Sequence, residues 1–271
     1  MCSSDLIGNA ISTETATIGQ EWQGTIQEAI TVGNLAPFPA GSVVHGVVDG
    51  VRTADPRLVA SALPIREMSF DEASELSAFG SKVLHPATMA PAMGRGIPVR
   101  VLNTQAPKAQ GTLIVAGSVR DGRPVRAIAH RLGLWLCTVT AQRVLPQHAF
   151  LVRLFEMFAA RGIDVSPVAI SPGAVTFAID ATVGESVLGE LRQLGETRIE
   201  RDQALVGVVG EVGAMGSGAA AMVLATLAES GVSVRGTSQG ARGSTLAVMI
   251  ADTDCRRAVL RLHERFFPTS A

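Results

Sequence analysis

The stretch FEMFAARGIDVSPVAISPGAVTFAID (155–180) is answered further along the chain by LATLAESGVSVRGTSQGARGSTLAVMIAD (224–252). Each copy runs from the end of an amphipathic helix through a glycine, Gly162 or Gly231, into an Ile/Val-x-Val segment that reads as a strand. A polar turn follows, then a second apolar strand closing on Asp180 or Asp252. Each copy next adds a helix, at 184–194 and 253–266, and the first is followed by a strand around 197–201. Strand and helix alternating in this order, twice over, predicts a duplicated ferredoxin-like α+β module.

Upstream, the apolar runs 112–115, 125–129 and 134–140 read as strands and 149–160 as a helix. Farther back, Ser69 stands three residues before Glu72, a capping box that opens a helix over 70–79 and ends it at Gly80. In HPATMAPAMGRG, Pro86 suits a first helical turn and Gly94 and Gly96 its end, with Pro91 expected to interrupt it. A strand is expected over 97–103. With aromatics at 4% and no tyrosine, the core has to be built from small and branched aliphatics, which favours layered α/β packing.

Several functions are disfavoured by composition. A net charge of -1 in 271 residues leaves no electrostatic excess for nucleic acid or an anionic membrane. Cys2, Cys137 and Cys255 are too few and scattered for a disulfide framework or a zinc site and fit a reducing cytoplasm. The first thirteen residues lack a basic n-region, and the most apolar window, around 219–228, is about half the roughly 20 residues a bilayer span needs. Gly210, Gly213, Gly216 and Gly218 do not follow the dinucleotide-loop order. His45, His85, His130, His148 and His263 show no metal-ligand spacing, so no metal site is expected.

VDGVRTADPRLV (48–59), FDEASELSAFGSKVLHPATMAPAMGRGIPVRVLNT (70–104) and GTLI (111–114) occur together in order. This block resembles the carboxyl-terminal half of the aspartokinase catalytic domain. The remainder, with VVGEVGAMGSG (208–218), TSQG (237–240) and LRLHERFF (260–267), resembles the tandem ACT regulatory domains of the same enzymes. The resemblance implies a mixed α/β and α+β architecture. A partial amino-acid-kinase lobe of the carbamate-kinase type would occupy 1–115, with 1–47 matching poorly. ACT domains would follow at 116–203 and 204–271.

It also implies ATP-dependent phosphorylation of the side-chain carboxylate of L-aspartate, the entry to lysine, threonine and methionine biosynthesis, with Mg2+ accompanying the nucleotide. Positioning and charge stabilisation dominate phosphoryl transfer, so cations are needed around the phosphates. Lys82 and Arg57 match the family positions that meet those phosphates. Asp49 and Gly50 match a turn near adenine and ribose, and Arg52 a variable nucleotide contact. The family's K-x-G-G phosphate loop has no counterpart in 1–40. ETATIGQ (14–20) leads toward an R-G-G-S-D signature that does not follow. No catalytic residue is therefore assigned, and a noncatalytic ACT sensor subunit is the alternative.

For regulation, the resemblance implies a homodimer or higher oligomer through the ACT domains, with lysine or threonine as effector. VLPQHAFLVRLF (144–155) would be the loop closing the effector site, lined by Gln147, His148, Ala149, Phe150 and Leu151. Ser166 and Ser171 would lie on the next strand, and Ser238 and Gln239 would supply a polar pair in the second module. Helical periodicity places Phe150 and Leu151 equally well in the core.

Overall fold

The computed structural model describes residues 7–8, 21–26, 30–32, 35–38, 43–47, 50–80, 86–102, 110–117, 123–141, 146–210, 218–240 and 244–268. Five short strands come first: β1 (Ile7–Gly8), β2 (Glu21–Ile26), β3 (Ile30–Val32), β4 (Leu35–Phe38) and β5 (Val43–Val47). They pair as an antiparallel β1–β2–β5 sheet and a separate β3–β4 pair. Next come β6 (Glu67–Ser69), α1 (Phe70–Ala78), α2 (Pro86–Met93), β7 (Val99–Val101) and β8 (Thr112–Val115). β8 lies parallel to β6 and antiparallel to β7.

α1 starts on the expected capping box: the Glu72 amide donates to Ser69 Oγ at 3.1 Å and the Ser69 amide to Glu72 Oε2 at 2.7 Å. α2 starts at Pro86 but continues through Pro91, whose missing N–H forfeits a bond near the helix end without terminating it.

The remaining elements are β9 (Ala127–Ala141), α3 (Gln147–Arg161), β10 (Val168–Ser171), β11 (Ala174–Asp180), α4 (Ala181–Leu194), β12 (Gly195–Val209), α5 (Gly218–Glu229), β13 (Gly236–Gln239), β14 (Thr245–Ala251) and α6 (Cys255–Phe266). Their strands form one antiparallel sheet in the order β10-β11-β9-β12-β14-β13. The runs read as separate strands at 125–129 and 134–140 belong to one strand of 15 residues, β9, and the strand expected around 197–201 lies within β12, equally long.

β9 and β12 pair along their whole length, from Ala141↔Gly195 to Ala127↔Val209, with a register slip between Glu200 and Leu205. Leu134–Ala141 opens a βαββαβ unit that closes on Gly195–Glu200. Gln203–Val209 opens the second unit, which closes on Ala127–Arg131 from the other end of β9. The second module thus takes its last strand from residues that precede the first, and the boundary expected at 203/204 falls inside β12.

The Ile/Val-x-Val segments at 163–165 and 232–234 are not ladder strands; pairing begins only at Val168 and Gly236. They lock the helix ends instead. Gly162 and Gly231 take positive φ of 61° and 68°, which a side chain would resist. The next amides, of Ile163 and Val232, reach back to the Phe158 and Leu227 carbonyls at 3.0 and 2.9 Å.

Helices cover one face of the sheet. Phe150 and Leu154 of α3 and Val187 and Leu191 of α4 pack on Trp135, Cys137, Val139, Val175 and Phe177. Val223 and Leu227 of α5 and Val259 and Leu262 of α6 pack on Ile128, Val206, Val208 and Val248. The opposite face, with Ala127, Ala129, Leu134, Leu205, Val209 and Met249, is covered by Met68, Phe70, Leu76, Phe79 and Met89 from the amino-terminal part. Among the described residues, no helix is long and apolar enough to cross a membrane.

Gly184 of α4 is where Trp135 fits: a Cβ there would stand 2.8 Å from the indole Cδ2 and nearer to Cε3 and Cζ3. Gly184→Val is expected to destabilise the chain by about 1–3 kcal/mol, measured by urea unfolding followed by circular dichroism; parent-like stability would show that the helix tolerates displacement from Trp135.

Candidate functional site

The segment from Gly50 to Ile65 folds back on itself, with Thr53 N donating to Leu63 O and Ile65 N to Val51 O, both at 2.9 Å. Its entry is fixed by buried Thr112, whose Oγ1 accepts from Val51 N at 2.9 Å and donates to Ile65 O at 2.6 Å. Gly50 takes φ 78° against this hydroxyl; a Cβ would lie 3.0 Å from Thr112 Oγ1. The expected nucleotide turn is thus tied to β8 at its carboxyl-terminal side.

Arg52 is half-buried and donates from Nη1 to Ala62 O at 2.9 Å. Arg57 is exposed and grips Asp55 as a fork, Nε at 3.0 Å from both oxygens and Nη2 at 2.7 Å from Oδ2. Burial pushes the Asp55 carboxyl up, but the Arg57 side-chain and backbone hydrogen bonds outweigh it and hold the group below its ordinary value. To meet a phosphate, Arg57 has to share its charge with Asp55. Asp49 and Lys82 lie outside the described residues. Gly80, two residues before Lys82, is described at the end of α1.

Two buried polar links join this part to the sheet. Thr53 Oγ1 meets His263 Nε2 of α6 at 2.9 Å and accepts the Leu63 amide at 2.9 Å. The Thr53 carbonyl accepts from Ile128 N of β9 at 2.7 Å. Arg126, just before β9, reaches the Glu67 carbonyl with Nη2 and stands 3.5 Å from Glu72 Oε1 through Nε. Glu72, which completes the α1 cap, therefore also faces a buried guanidinium.

The expected effector residues fall on α3, on or just before the edge strand β10, and on the edge strand β13. The region read as a loop over 144–155 is helical from Gln147, because Phe150, Leu154, Met157 and Phe158 supply a helical apolar stripe. Phe150 is fully buried in that stripe and Leu151 partly so, which places both against the first module's core. Gln147, His148, Ala149 and Leu151 sit in the first turns of α3, with Gln147 Nε2 donating to Ser171 O at 3.3 Å. Ser166 precedes β10 instead of lying on it and is exposed, its amide bonded to Ala178 O at 3.2 Å. Ser171 ends β10. Ser238 and Gln239 lie on β13, paired with Ala247 and Leu246. β10 and β13 approach within 8 Å, Cα to Cα, without pairing.

Residues 43–103 match the amino acid kinase family and 206–266 an ACT domain. The chain is 31% identical over 95% of its length to aspartokinase 1, chloroplastic, of Arabidopsis thaliana, covering 48% of that protein. It is 32% identical over 81% of its length to lysine-sensitive aspartokinase 3 of Escherichia coli K12, covering 50% of it. The crystal structure of E. coli aspartokinase III in complex with aspartate and ADP, in the R-state, matches with a TM-score of 0.73 at 31% identity, over 81% of this chain and 51% of that one. This chain is similar to the aspartokinases. It spans about half the length of the curated relatives it matches. A match to aspartokinase 3, chloroplastic, of A. thaliana covers 96% of the chain and so enters residues 1–47, where the motif comparison alone finds little likeness.

Thr53, Thr112, Arg126 and His263, all buried, are residues that the sequence did not mark as a site. No spacing rule pairs Val51 with Thr112 or Thr53 with His263; the one available cue was a polar residue inside an apolar pattern, as for His263 in LRLHERFF. Among the described residues, no group of three His, Cys, Asp or Glu side chains is placed to hold a metal ion, so the expected Mg2+ has no ligand set there.

Burial disfavours the imidazolium, and His263 titrates below its ordinary value, with Glu264 opposing the shift. Below about pH 6.5 the unfolded chain takes up a proton that the folded chain resists, so stability falls as the pH drops. His263→Gln is expected to flatten this loss between about pH 7.5 and pH 5.5, measured by chemical denaturation at both. Thr53→Val, which strands the Leu63 amide, is expected to cost about 1–3 kcal/mol near neutral pH. An unchanged pH slope in His263→Gln would remove His263 as its source.

Proposed function

We propose that this chain is the nucleotide-wall and regulatory part of an aspartate kinase. In that reaction the γ-phosphoryl of ATP passes to a side-chain carboxylate oxygen of L-aspartate. The bond from Pγ to the bridging oxygen breaks, a Pγ–O bond to the carboxylate forms, and ADP leaves. The acceptor is already deprotonated near neutral pH, so no general base is needed. The demand falls on cations around the phosphates. Lys82 and Arg57 fill that role, with Asp49, Gly50 and Arg52 shaping the adenine and ribose side.

The observation that carries this reading is the likeness, at 31% identity, to an enzyme whose structure holds aspartate and ADP, together with Gly50 fixed on Thr112. Residues 1–115 form the kinase part and 116–203 and 204–271 the ACT domains, their β9 and β12 strands shared. Regulation follows from amino-acid binding at the β10 and β13 edges. Gln147, Ala149, Leu151, Ser166 and Ser171 contribute from the first module, with Phe150 as packing support, and Ser238 and Gln239 from the second. A lysine effector is supported by the match to a complex of aspartokinase III with lysine and aspartate, at TM-score 0.67 and 31% identity; threonine is the other candidate. A homodimer through the ACT domains and a cytoplasmic location complete the reading, the latter supported by the buried free thiols Cys137 and Cys255.

Isothermal titration of the chain with ATP is expected to show binding that Lys82→Ala abolishes while the oligomer persists. Aspartate-dependent ADP release would extend the assignment to catalysis. Binding of lysine or threonine, weakened in Gln147→Ala, without any ATP binding would replace it by an amino-acid sensor.

A further inference from the structure

We propose that Thr53 and His263 are positioning residues for the nucleotide: through their hydrogen bond, helix α6 of the second ACT module sets where Arg52 and Arg57 stand. The inference rests on the assignment of those two arginines to the nucleotide.

The segment that carries both arginines is packed on the kinase part at its two ends and on the regulatory part in its middle. Val51 and Ile65, near the ends, are buried in the cluster that contains Met68, Phe70 and Leu76. Ala54, Val59 and Ala62, between them, are buried in the other cluster, with Leu227 of α5 and Val259 and Leu262 of α6, and Leu58 packs against it. Arg57 therefore leaves a stretch whose buried neighbours belong to the second ACT module, although the chain order places it in the kinase part.

Apolar contact of this kind has no direction, and the hydrogen bond supplies one. Thr53 and His263 are each only 2% exposed. Thr53 Oγ1 stands 2.9 Å from His263 Nε2 and also accepts the Leu63 amide at 2.9 Å, so one hydroxyl ties α6 to both limbs of the folded segment. The imidazole is held in turn. It stacks on Phe267 with 4.7 Å between ring centroids, and the Phe267 amide donates to the His263 carbonyl at 2.8 Å. Arg52 is the residue before Thr53 and donates to Ala62 O, beside Leu63, at 2.9 Å. Arg57 follows Thr53 by four residues and grips Asp55, whose carbonyl accepts the Leu58 and Val59 amides at 3.0 and 2.9 Å. Both guanidiniums are thus fixed to backbone that turns about Thr53. A displacement of α6 against the kinase part consequently tilts the segment and carries both arginines with it.

The test uses the full chain with Thr53→Val, Thr53→Ser, His263→Leu and the double variant of Thr53→Val with His263→Leu, each titrated with ATP at a temperature where circular dichroism shows it folded. Thr53→Val and His263→Leu are each expected to weaken ATP binding about tenfold. Thr53→Ser keeps the hydroxyl and is expected to stay within about twofold of the parent. The double variant is expected to lose no more than either single one, because both remove the same bond. A role confined to stability would lower the unfolding midpoint and leave the affinity of the folded variants alone. A second measurement needs no variant: by reciprocity, ATP is expected to slow amide hydrogen exchange of the parent at Leu63 and at Phe267, with β11 exchanging as before. Parent-like affinity in both single variants would overturn the proposal, as would a loss in Thr53→Ser equal to that in Thr53→Val. Where the single variants do not fold, ATP that leaves the Phe267 amide exchanging as before would overturn it. A parent chain that binds no ATP would defeat the nucleotide reading and the proposal with it, a result distinct from ATP binding that ignores the link.

Discussion

The antiparallel pairing of β9 with β12 is the contact on which the rest of the molecule depends. Each strand serves two modules, and the second module is complete only with Ala127–Arg131, which precede the first. Along the second half of β12 the sheet is also covered on both faces, by helices on one side and by the kinase part on the other. A strand buried on both faces has no polar side to alternate with, which is why the second half of β12 reads ALVGVV without a break. Polar or long side chains are displaced to the sheet edges, where β10 and β13 are short and largely exposed. An edge strand offers unpaired backbone donors and acceptors, which suits it to hold the amino and carboxyl groups of a small ligand.

Strands of 15 residues cannot stay flat, and the twist is relieved where the register slips between Glu200 and Leu205. Asp202 there takes φ 53°, a conformation that aspartate tolerates better than most residues. The acids that end the second apolar strand of each repeat converge on this bend. Asp180 binds Arg131 at 2.9 Å, and Asp252 accepts the Gly133 amide at 3.3 Å. The two carboxyls diverge in titration. Hydrogen bonds from Thr182 and Arg131 hold Asp180 below its ordinary value, whereas burial and the nearby Asp202 raise Asp252. The repeat preserved the position of the acid while the bend gave each copy a different partner.

What the sequence made legible was local. The capping box at Ser69 and Glu72, the glycine ends of α3 and α5 and the apolar stripes of the helices all depend on residues a few positions apart. Strand exchange between modules was not legible, because Ala127–Arg131 pairs with residues more than seventy positions away and periodicity carries no information about partners. The Ile/Val-x-Val segments misled for a related reason: their branched residues favour extended backbone, but the ladder starts only where a partner strand is present. Of the site, Gly50, Arg52 and Arg57 came from motif resemblance and are placed together on one folded segment. Thr112 and His263, which hold that segment, carried no motif.

The buried Arg126–Glu72 pair shows what such residues do in a two-part molecule. Burying a guanidinium and a carboxylate costs several kcal/mol of lost hydration, which their attraction offsets only when geometry and extra hydrogen bonds are good. Here Glu72 already accepts the Ser69 amide, and Arg126 donates to the Glu67 carbonyl. Glu72 is therefore used once within its own part and once across the boundary, and both side-chain contacts of Arg126 cross it. An apolar pair of equal volume would fill the space without fixing an angle, since hydrophobic contact has no direction. The ionic contact forms only when α1, β6 and the segment just before β9 adopt one mutual orientation. Orientation, more than added stability, is what this pair supplies.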